Sequence, residues 1–255
     1  MSLLERIIVN KKTEVATKKV GIPVESFVDK LTQSDRSFLQ AVSKDSPINV
    51  IAEIKKASPS EGELRSDFDV AKIAKIYDKK ADAISVVTDE KFFEGSLENL
   101  NIVRQNSKLP ILCKDFILDE YQIFEARLFG ADAVLLIASL LTLEEINGFI
   151  LIAKLLKMDA ILEIHNREEM EVAIESNATI VGINNRNLED FSVDLRKTVI
   201  LSPLLKKAGK IVVSESGLLT SEHVKLASKT CNAVLVGTSL IKSDDIESQF
   251  EMFKF

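Results

Sequence analysis

Cysteine and histidine are scarce in this chain of 255 residues, and tryptophan is missing altogether. Cys113 and Cys231 stand far apart, and no Cys-x-x-Cys or Cys/His spacing joins them to His165 or His223. No metal centre built on thiolate or imidazole is therefore expected, and two free thiols suit a reducing, cytoplasmic setting. An excess of positive charge is also lacking. The 33 lysines and arginines are outnumbered by 39 aspartates and glutamates, for a net charge of −6. That balance argues against a nucleic-acid partner, although it leaves room for a local cationic pocket that takes an acidic small molecule. No run reaches the roughly 18 apolar residues of a membrane span. The longest candidate, Ala131 to Leu143, is broken by Asp132, Ser139 and Thr142. The first residues, Met1-Ser-Leu-Leu-Glu-Arg, place an acid early and have no uninterrupted apolar core, unlike a secretory signal. A Gly-x-Gly-x-x-Gly dinucleotide loop, a linker and a low-complexity stretch are missing too.

What is present is a repeated unit. Apolar strand cores fall near Ile51, Ser85, Leu112, Leu135, Ile161, Gly182, Val212 and Leu235, spaced by roughly 26 residues, close to the shortest strand–helix repeat. Between them lie helix signals. Val70, Ile73, Ala74 and Tyr77 form an apolar stripe at helical spacing. Asp119 with Gln122, Thr142 with Glu145, and Asn166 with Glu169 each pair an N-cap with a reciprocal partner three residues on. Strict alternation of strand and helix implies a parallel sheet, and eight such units favour closure into a (β/α)8 TIM barrel of the α/β class. With 46% hydrophobic and 28% charged residues, the chain has material for one large core and a solvated surface. Residues 1–255 therefore read as a single barrel domain. Residues 1–46, charged and with Leu4, Ile7, Ile8 and Lys11 at helical spacing, read as an N-terminal helical extension that ends before Pro47.

The chemistry sits at the strand ends. On a strand, side chains two apart share a face, so Ile51, Glu53 and Lys55 point one way. An acid and a base on one face of a buried strand are costly unless paired or used. The polar loop Ser58-Pro-Ser-Glu-Gly62 follows, its backbone fixed by Pro59 and Gly62. Strand 3 ends at Lys114. Strand 5 sends Glu163 inward with Ile161, and strand 6 aligns Gly182, Asn184 and Arg186. One such residue alone reads as a snorkelling lysine, a helix cap or a buried ion pair. Five strands contributing polar groups to the carboxyl rim of a barrel read as an active site. Two glycine-containing loops, Ser214-Glu-Ser-Gly217 after strand 7 and Val236-Gly-Thr-Ser239 after strand 8, suit a phosphate cradle made of backbone N–H groups and hydroxyls.

Five stretches carry a resemblance: Ile51-Ala-Glu-Ile-Lys-Lys-Ala-Ser-Pro-Ser60, Ser85-Val-Val-Thr-Asp-Glu-Lys-Phe-Phe-Glu-Gly-Ser96, Lys114-Asp-Phe-Ile117, Gly182-Ile-Asn-Asn-Arg-Asn-Leu188 and Ser214-Glu-Ser-Gly217. Over nearly its whole length the chain resembles the indole-3-glycerol-phosphate synthase family, tryptophan-pathway carboxy-lyases. That resemblance implies conversion of 1-(2-carboxyphenylamino)-1-deoxyribulose 5-phosphate to indole-3-glycerol phosphate, carbon dioxide and water. It implies no cofactor, and an N-terminal extension packed over the barrel mouth. By the same resemblance Lys114 is the general acid at the ribulose carbonyl, and Glu163 accepts or shuttles the proton of the later dehydration. Lys55 pairs with the substrate carboxylate and is held by Glu53. Asn184 and Arg186 orient the sugar hydroxyls and the anthranilate part. Ser58, Glu215 and Ser216 complete the rim, and Gly217, Gly237 and Thr238 hold phosphate. The expected partner is a phosphorylated small molecule, with no membrane, and the chain is expected as a monomer or weak homo-oligomer.

Three positions depart from the family pattern: Glu61 where lysine is common, Cys113 where arginine precedes the catalytic lysine, and Thr238 for serine or glutamate. None removes a required group. Three other readings stay open from residues alone. A Schiff-base aldolase would use Lys55 or Lys114 in neutral form. The sister isomerase of the same pathway wants a cysteine at the first strand, where Glu53 and Lys55 stand. A phosphate-ligand binder without turnover would keep the cradle alone.

Overall fold

The computed structural model describes residues 1–187 and 190–253; Leu188, the last residue of one quoted motif, lies outside them. Eight parallel strands form the barrel: β1 (Asn49–Ile54), β2 (Ala83–Val87), β3 (Ile111–Lys114), β4 (Ala133–Ile137), β5 (Asp159–Ile164), β6 (Ile180–Asn184), β7 (Ile211–Glu215) and β8 (Ala233–Val236). Each pairs with its neighbour in sequence, and β8 returns to β1 with Leu235 opposite Ile51. Closure leaves the barrel no open edge.

Strand parity divides two cores. Val50, Ala52, Ile84, Val86, Leu136, Leu162 and Val234 face outward into the layer beneath the helices. Ile51, Ala83, Leu112, Leu135, Ile161, Ile180, Val213 and Leu235 face inward and fill the barrel. The helices that cover the strands are α3 (Val70–Lys80), α4 (Glu90–Phe93), α5 (Glu98–Asn106), α6 (Tyr121–Leu128), α7 (Leu143–Leu155), α8 (Arg167–Glu175), α9 (Arg196–Lys207), α10 (Ser221–Ser228), α11 (Thr238–Ile241) and α12 (Ile246–Glu251), after α1 (Leu3–Gly21) and α2 (Phe38–Val42) in the extension. The stripe on α3 packs as its spacing predicts, with Ile73, Ala74 and Tyr77 buried.

Caps hold these helices in variants of the expected form. Thr142 and Glu145 make the reciprocal box at the start of α7. Asn166 caps α8 at the Glu169 N–H, but Glu169 turns its carboxylate to the His165 N–H at 2.8 Å. Gln122 accepts from the Asp119 N–H at 3.2 Å, while Asp119 accepts from the Tyr121 N–H at 2.9 Å, so that box is offset by one residue.

The extension serves both ends of the barrel, where the sequence suggested an appendage over the mouth. Helix α1, capped by Ser2 and Glu5, brings Leu3, Leu4 and Ile7 to the mouth. Residues 34–42 close the opposite end. Phe38, Ala41 and Val42 join the inner core, where β2, β4 and β8 begin with the small inward residues Ala83, Ala133 and Ala233. The backbone of this plug is tied down: Asn49 Nδ2 donates to the Val42 carbonyl at 3.2 Å, and the Leu39 N–H to Asp159 at 2.8 Å.

Candidate active site

All twelve residues singled out in the sequence line one open cavity of about 850 Å³ at the carboxyl ends of the strands. Its volume lies in the range of small-molecule pockets. Strand register builds its floor. Val87 of β2 stands opposite Lys114, Ile137 of β4 opposite Glu163, Glu163 opposite Gly182, and Asn184 opposite Glu215. Lys114 thus projects across the mouth and meets two carboxylates, Glu215 Oε2 at 2.8 Å and Glu163 Oε2 at 3.1 Å. Glu53 accepts from Lys55 Nζ at 2.8 Å, and the Tyr77 hydroxyl reaches the Glu53 carbonyl at 3.3 Å. Asn184 donates to Glu163 Oε1 at 3.1 Å and accepts from the Arg186 N–H at 3.0 Å.

Two glycines create space for this ion cluster. A Cβ at Gly182 would collide with the Glu215 carboxylate, and one at Gly237 with that of Glu53. Gly237 therefore has a duty beyond the anion cradle expected of it: it lets an acid of β1 lie flat against β8.

Burial and charge act against each other here. Burial alone lowers the Lys114 pKa, but Glu215, Glu163 and Glu53 outweigh it, and the ammonium form is favoured well beyond neutral pH. Burial raises the Glu163 pKa, yet Lys114, the adjacent His165 imidazole and the hydrogen bond of Asn184 reverse that and hold it below the usual carboxylate range. Glu53 is likewise lowered against burial, by Lys55 and Lys114. Glu215 goes the other way. Burial and repulsion from Glu163 exceed the attraction of Lys114, and its carboxyl is pushed up to about 7. Its Oε1 meets no hydrogen-bond donor among the described residues.

The rest of the wall is apolar on one side, with Phe93, Phe116, Leu135 and Ile137. On the other side Ser216 (φ 65) and Gly217 (φ 78) make two successive left-handed residues, and the following loop is tied to α11 by Ser239 Oγ donating to the Leu218 carbonyl at 3.4 Å. Among the described residues, no side chain caps α11, whose first residue is Thr238. Across the top, Glu61 binds Lys242 at 2.5 Å and approaches Arg186 at 3.9 Å. Ser58 turns its hydroxyl to Ser60 at 3.4 Å.

Several contributors went unnoticed in the sequence. Lys11 of α1, only 1% exposed, lies 3.1 Å from Asp89 and 2.9 Å from Asp115, two acids just past β2 and β3. Thr88 joins them, its hydroxyl donating to Asp115 at 2.6 Å and its N–H to the Lys114 carbonyl at 3.1 Å. Asn185, fully buried, donates through Nδ2 to the carbonyls of Glu215 at 2.8 Å and Ser216 at 3.2 Å, and accepts from the Thr198 hydroxyl at 2.8 Å. His165 backs Glu163. For Asp89, Asp115 and His165 the strand-end rule already applied to Lys114 was the available signal. Among the described residues, no group of three or more His, Cys, Asp or Glu side chains is placed to hold a metal.

Comparison with known proteins places these features in a family. The family model described as indole-3-glycerol phosphate synthase matches residues 4–253. The indole-3-glycerol phosphate synthase of Alkaliphilus metalliredigens is 42% identical over 248 residues, covering 96% of this chain and 95% of that protein. That of Thermoanaerobacter pseudethanolicus is 42% identical over 255 residues, covering 99% and 97%. The tryptophan biosynthesis protein TrpCF of Vibrio parahaemolyticus is 43% identical over 247 residues, and there the match spans 96% of this chain but 51% of the relative. The chain thus spans about half the length of the TrpCF proteins it matches. Among solved structures, KGPDC from Streptococcus mutans superposes with a TM-score of 0.64 at 12% identity, covering 82% of this chain and 96% of that one. It shares the barrel fold.

Proposed function

The chain belongs to the indole-3-glycerol phosphate synthase family, and from that premise we propose that it closes, decarboxylates and dehydrates 1-(2-carboxyphenylamino)-1-deoxyribulose 5-phosphate to indole-3-glycerol phosphate. The observation that carries this reading is Lys114, an ammonium held between two buried carboxylates on the floor of an open cavity. Ring closure requires a proton donor at the ketone oxygen as the ring carbon bearing the carboxylate attacks the ketone carbon. Lys114 supplies it. Loss of carbon dioxide returns the bonding electrons to the ring. The former ketone oxygen then leaves as water while a carbon-bound proton is removed, and Glu163, kept ionised, receives that proton.

The remaining groups fit the substrate's parts. Phe93, Phe116, Leu135 and Ile137 offer an apolar wall to the aromatic ring. Lys55, steadied by Glu53, faces the substrate carboxylate. Asn184 and Arg186 reach the hydroxyls and the anthranilate part, and Ser58, Glu215 and Ser216 border them. The loop at Gly217 and the uncapped start of α11 at Gly237 and Thr238 suit a phosphate, since backbone N–H groups at a helix start favour an anion. The same ammonium disfavours a Schiff-base aldolase, which needs a neutral lysine. The buried free thiols Cys113 and Cys231 support a cytoplasmic setting, and the protein is read as a monomer or weak homo-oligomer. Among the described residues, no helix is long and apolar enough to cross a membrane.

Mixing the protein with the substrate should produce the absorbance and fluorescence of an indole ring, and borohydride added during turnover should leave no substrate attached to lysine. An inert protein, or a trapped lysine adduct, would overturn the assignment.

A further inference from the structure

The two carboxylates that flank Lys114 are unequal, although both are buried and both bind the same ammonium. Glu163 has further neighbours at Oε1: Asn184 Nδ2 donates a hydrogen bond at 3.1 Å, and His165 Nε2 lies 3.2 Å away as a charge contact without hydrogen-bond alignment. Glu215 has no partner among the described residues on its second oxygen, which lies against Gly182. The source of the inequality is traceable. His165 follows β5 two residues after Glu163 and so keeps the same inward parity, yet it stands behind the carboxylate rather than on the cavity wall. Its ring is 11% exposed and is gripped from outside by Glu169, whose Oε2 lies 3.1 Å from Nδ1 and also accepts the His165 N–H at 2.8 Å. Glu169 is fixed in turn at the first turn of α8, its N–H bonded to Asn166 Oδ1 at 2.8 Å and its Oε1 to Asn166 Nδ2 at 2.8 Å. A Glu169–His165–Glu163 line therefore runs from the edge of the barrel to the ion cluster.

We propose that His165, anchored by Glu169, is a positioning residue that decides which of the two carboxylates beside Lys114 keeps a proton, leaving Glu163 ionised as the acceptor and Glu215 as the proton-bearing partner. The proposal rests on the reading of Glu163 as proton acceptor and deepens it. A group of titratable sites pushed apart by unequal surroundings divides into an acid and a base. The charged groups that face this pair are Lys114 from β3, Glu53 from β1, and His165 and Glu169 from the end of β5 and from α8. Burial lowers the imidazole pKa, but Glu163 and Glu169 reverse this and raise it to about 9, so the ring carries its charge at neutral pH. Glu163 and Glu215 share one ammonium, so the imidazolium is the charge that breaks their symmetry.

The test is carbon-13 NMR of glutamate side-chain carboxyls in the ligand-free enzyme, with signals assigned by Glu163→Gln and Glu215→Gln. In the wild type, Glu215 should titrate near neutrality while Glu163 stays flat between about pH 5 and 9. In His165→Gln, which keeps a neutral donor of similar reach, Glu163 should take up a proton within that window and the Glu215 midpoint should fall. Glu169→Gln, which leaves the imidazole in place but loosens its charge, should move both signals the same way by less, and it carries the test should His165→Gln fold poorly. A role in packing alone leaves Glu163 flat in both variants, and that result overturns the proposal. Because the free enzyme is observed, the outcome does not depend on which substrate is turned over. In single turnover of the proposed substrate, each unit of displacement should appear as about a tenfold slower late step on the acid side. Inactivity on that substrate together with the expected carboxyl titration would reject the function and keep the positioning role.

Discussion

The two ends of this barrel both bury charge, and they treat it differently. At the closed end, Asp132 is fully buried, and its two oxygens are met by Arg104, Arg127 at 3.2 Å, the Ser34 hydroxyl at 2.7 Å and the Ile111 N–H at 2.9 Å. Beside it the plug of α2 seals the inner core. At the open end, Lys114 is shared by acids that outnumber it, one carboxylate oxygen has no donor among the described residues, and two glycines leave the space that the acids fill. A satisfied ion network specifies a shape; an under-satisfied one stores reactivity. Folding and chemistry are separated along the barrel axis.

The comparison breaks first if damage at the closed end fails to unfold the protein. Asp132→Ala leaves two arginines and a backbone N–H without their acceptor and should cost about 3–5 kcal/mol in urea unfolding. Activity per folded molecule should be retained. Phe38→Ala opens the plug and should cost about 3 kcal/mol. Removing residues 1–31, which spares the plug, should weaken substrate binding while a cooperative transition remains; removing 1–46 should lose much of the stability as well.

A subtler contrast concerns pH. The Glu215 carboxyl is raised in the fold from its ordinary 4.5 to about 7, so its contribution to stability is fully present below 4.5 and fades as pH rises through 7. Glu215→Gln has no charge to form. Relative to the wild type, the variant should gain stability between about pH 5 and 8 while losing activity, as expected where function opposes stability. A wild-type–variant difference independent of pH would contradict that account.

The smallest effect is expected at the rim. Glu61 occupies Lys242 and stands near Arg186 in the free enzyme. Glu61→Ala should free both cations and lower KM for an anionic substrate about twofold to fivefold, a surface ion pair contributing up to about 1 kcal/mol. An unchanged KM would show that the bridge does not compete with substrate.

Much of this was legible in the sequence because strand parity is a local rule. Ile51, Glu53 and Lys55 had to share a face, and so did Gly182, Asn184 and Arg186; closure then brought the polar members of both sets to one cavity. What escaped depends on pairs far apart in the chain. Lys11 reads as one more position on a helical stripe until Asp89 and Asp115 are beside it. The five residues of α2 are too few to show a period, and only the small residues starting β2, β4 and β8 make room for Phe38. Gly237 reads as a phosphate loop; that it also accommodates Glu53 follows from the β8–β1 pairing, which no local motif records. His165 was within reach of the parity rule but reads in the sequence only as one of two scattered histidines.

In the proposed mechanism, Lys114 and Glu163 divide acid from base duty. Single turnover of the proposed substrate, with carbon dioxide release and indole absorbance followed together, tests it most directly. Lys114→Ala should release neither product, its rate of ring closure falling by about 10²–10⁴. Glu163→Gln should release carbon dioxide and then lag in indole formation, accumulating a species that has lost the carboxylate and kept the hydroxyl. Near-normal ring closure in Lys114→Ala, or both variants stalled at one species, would contradict the account.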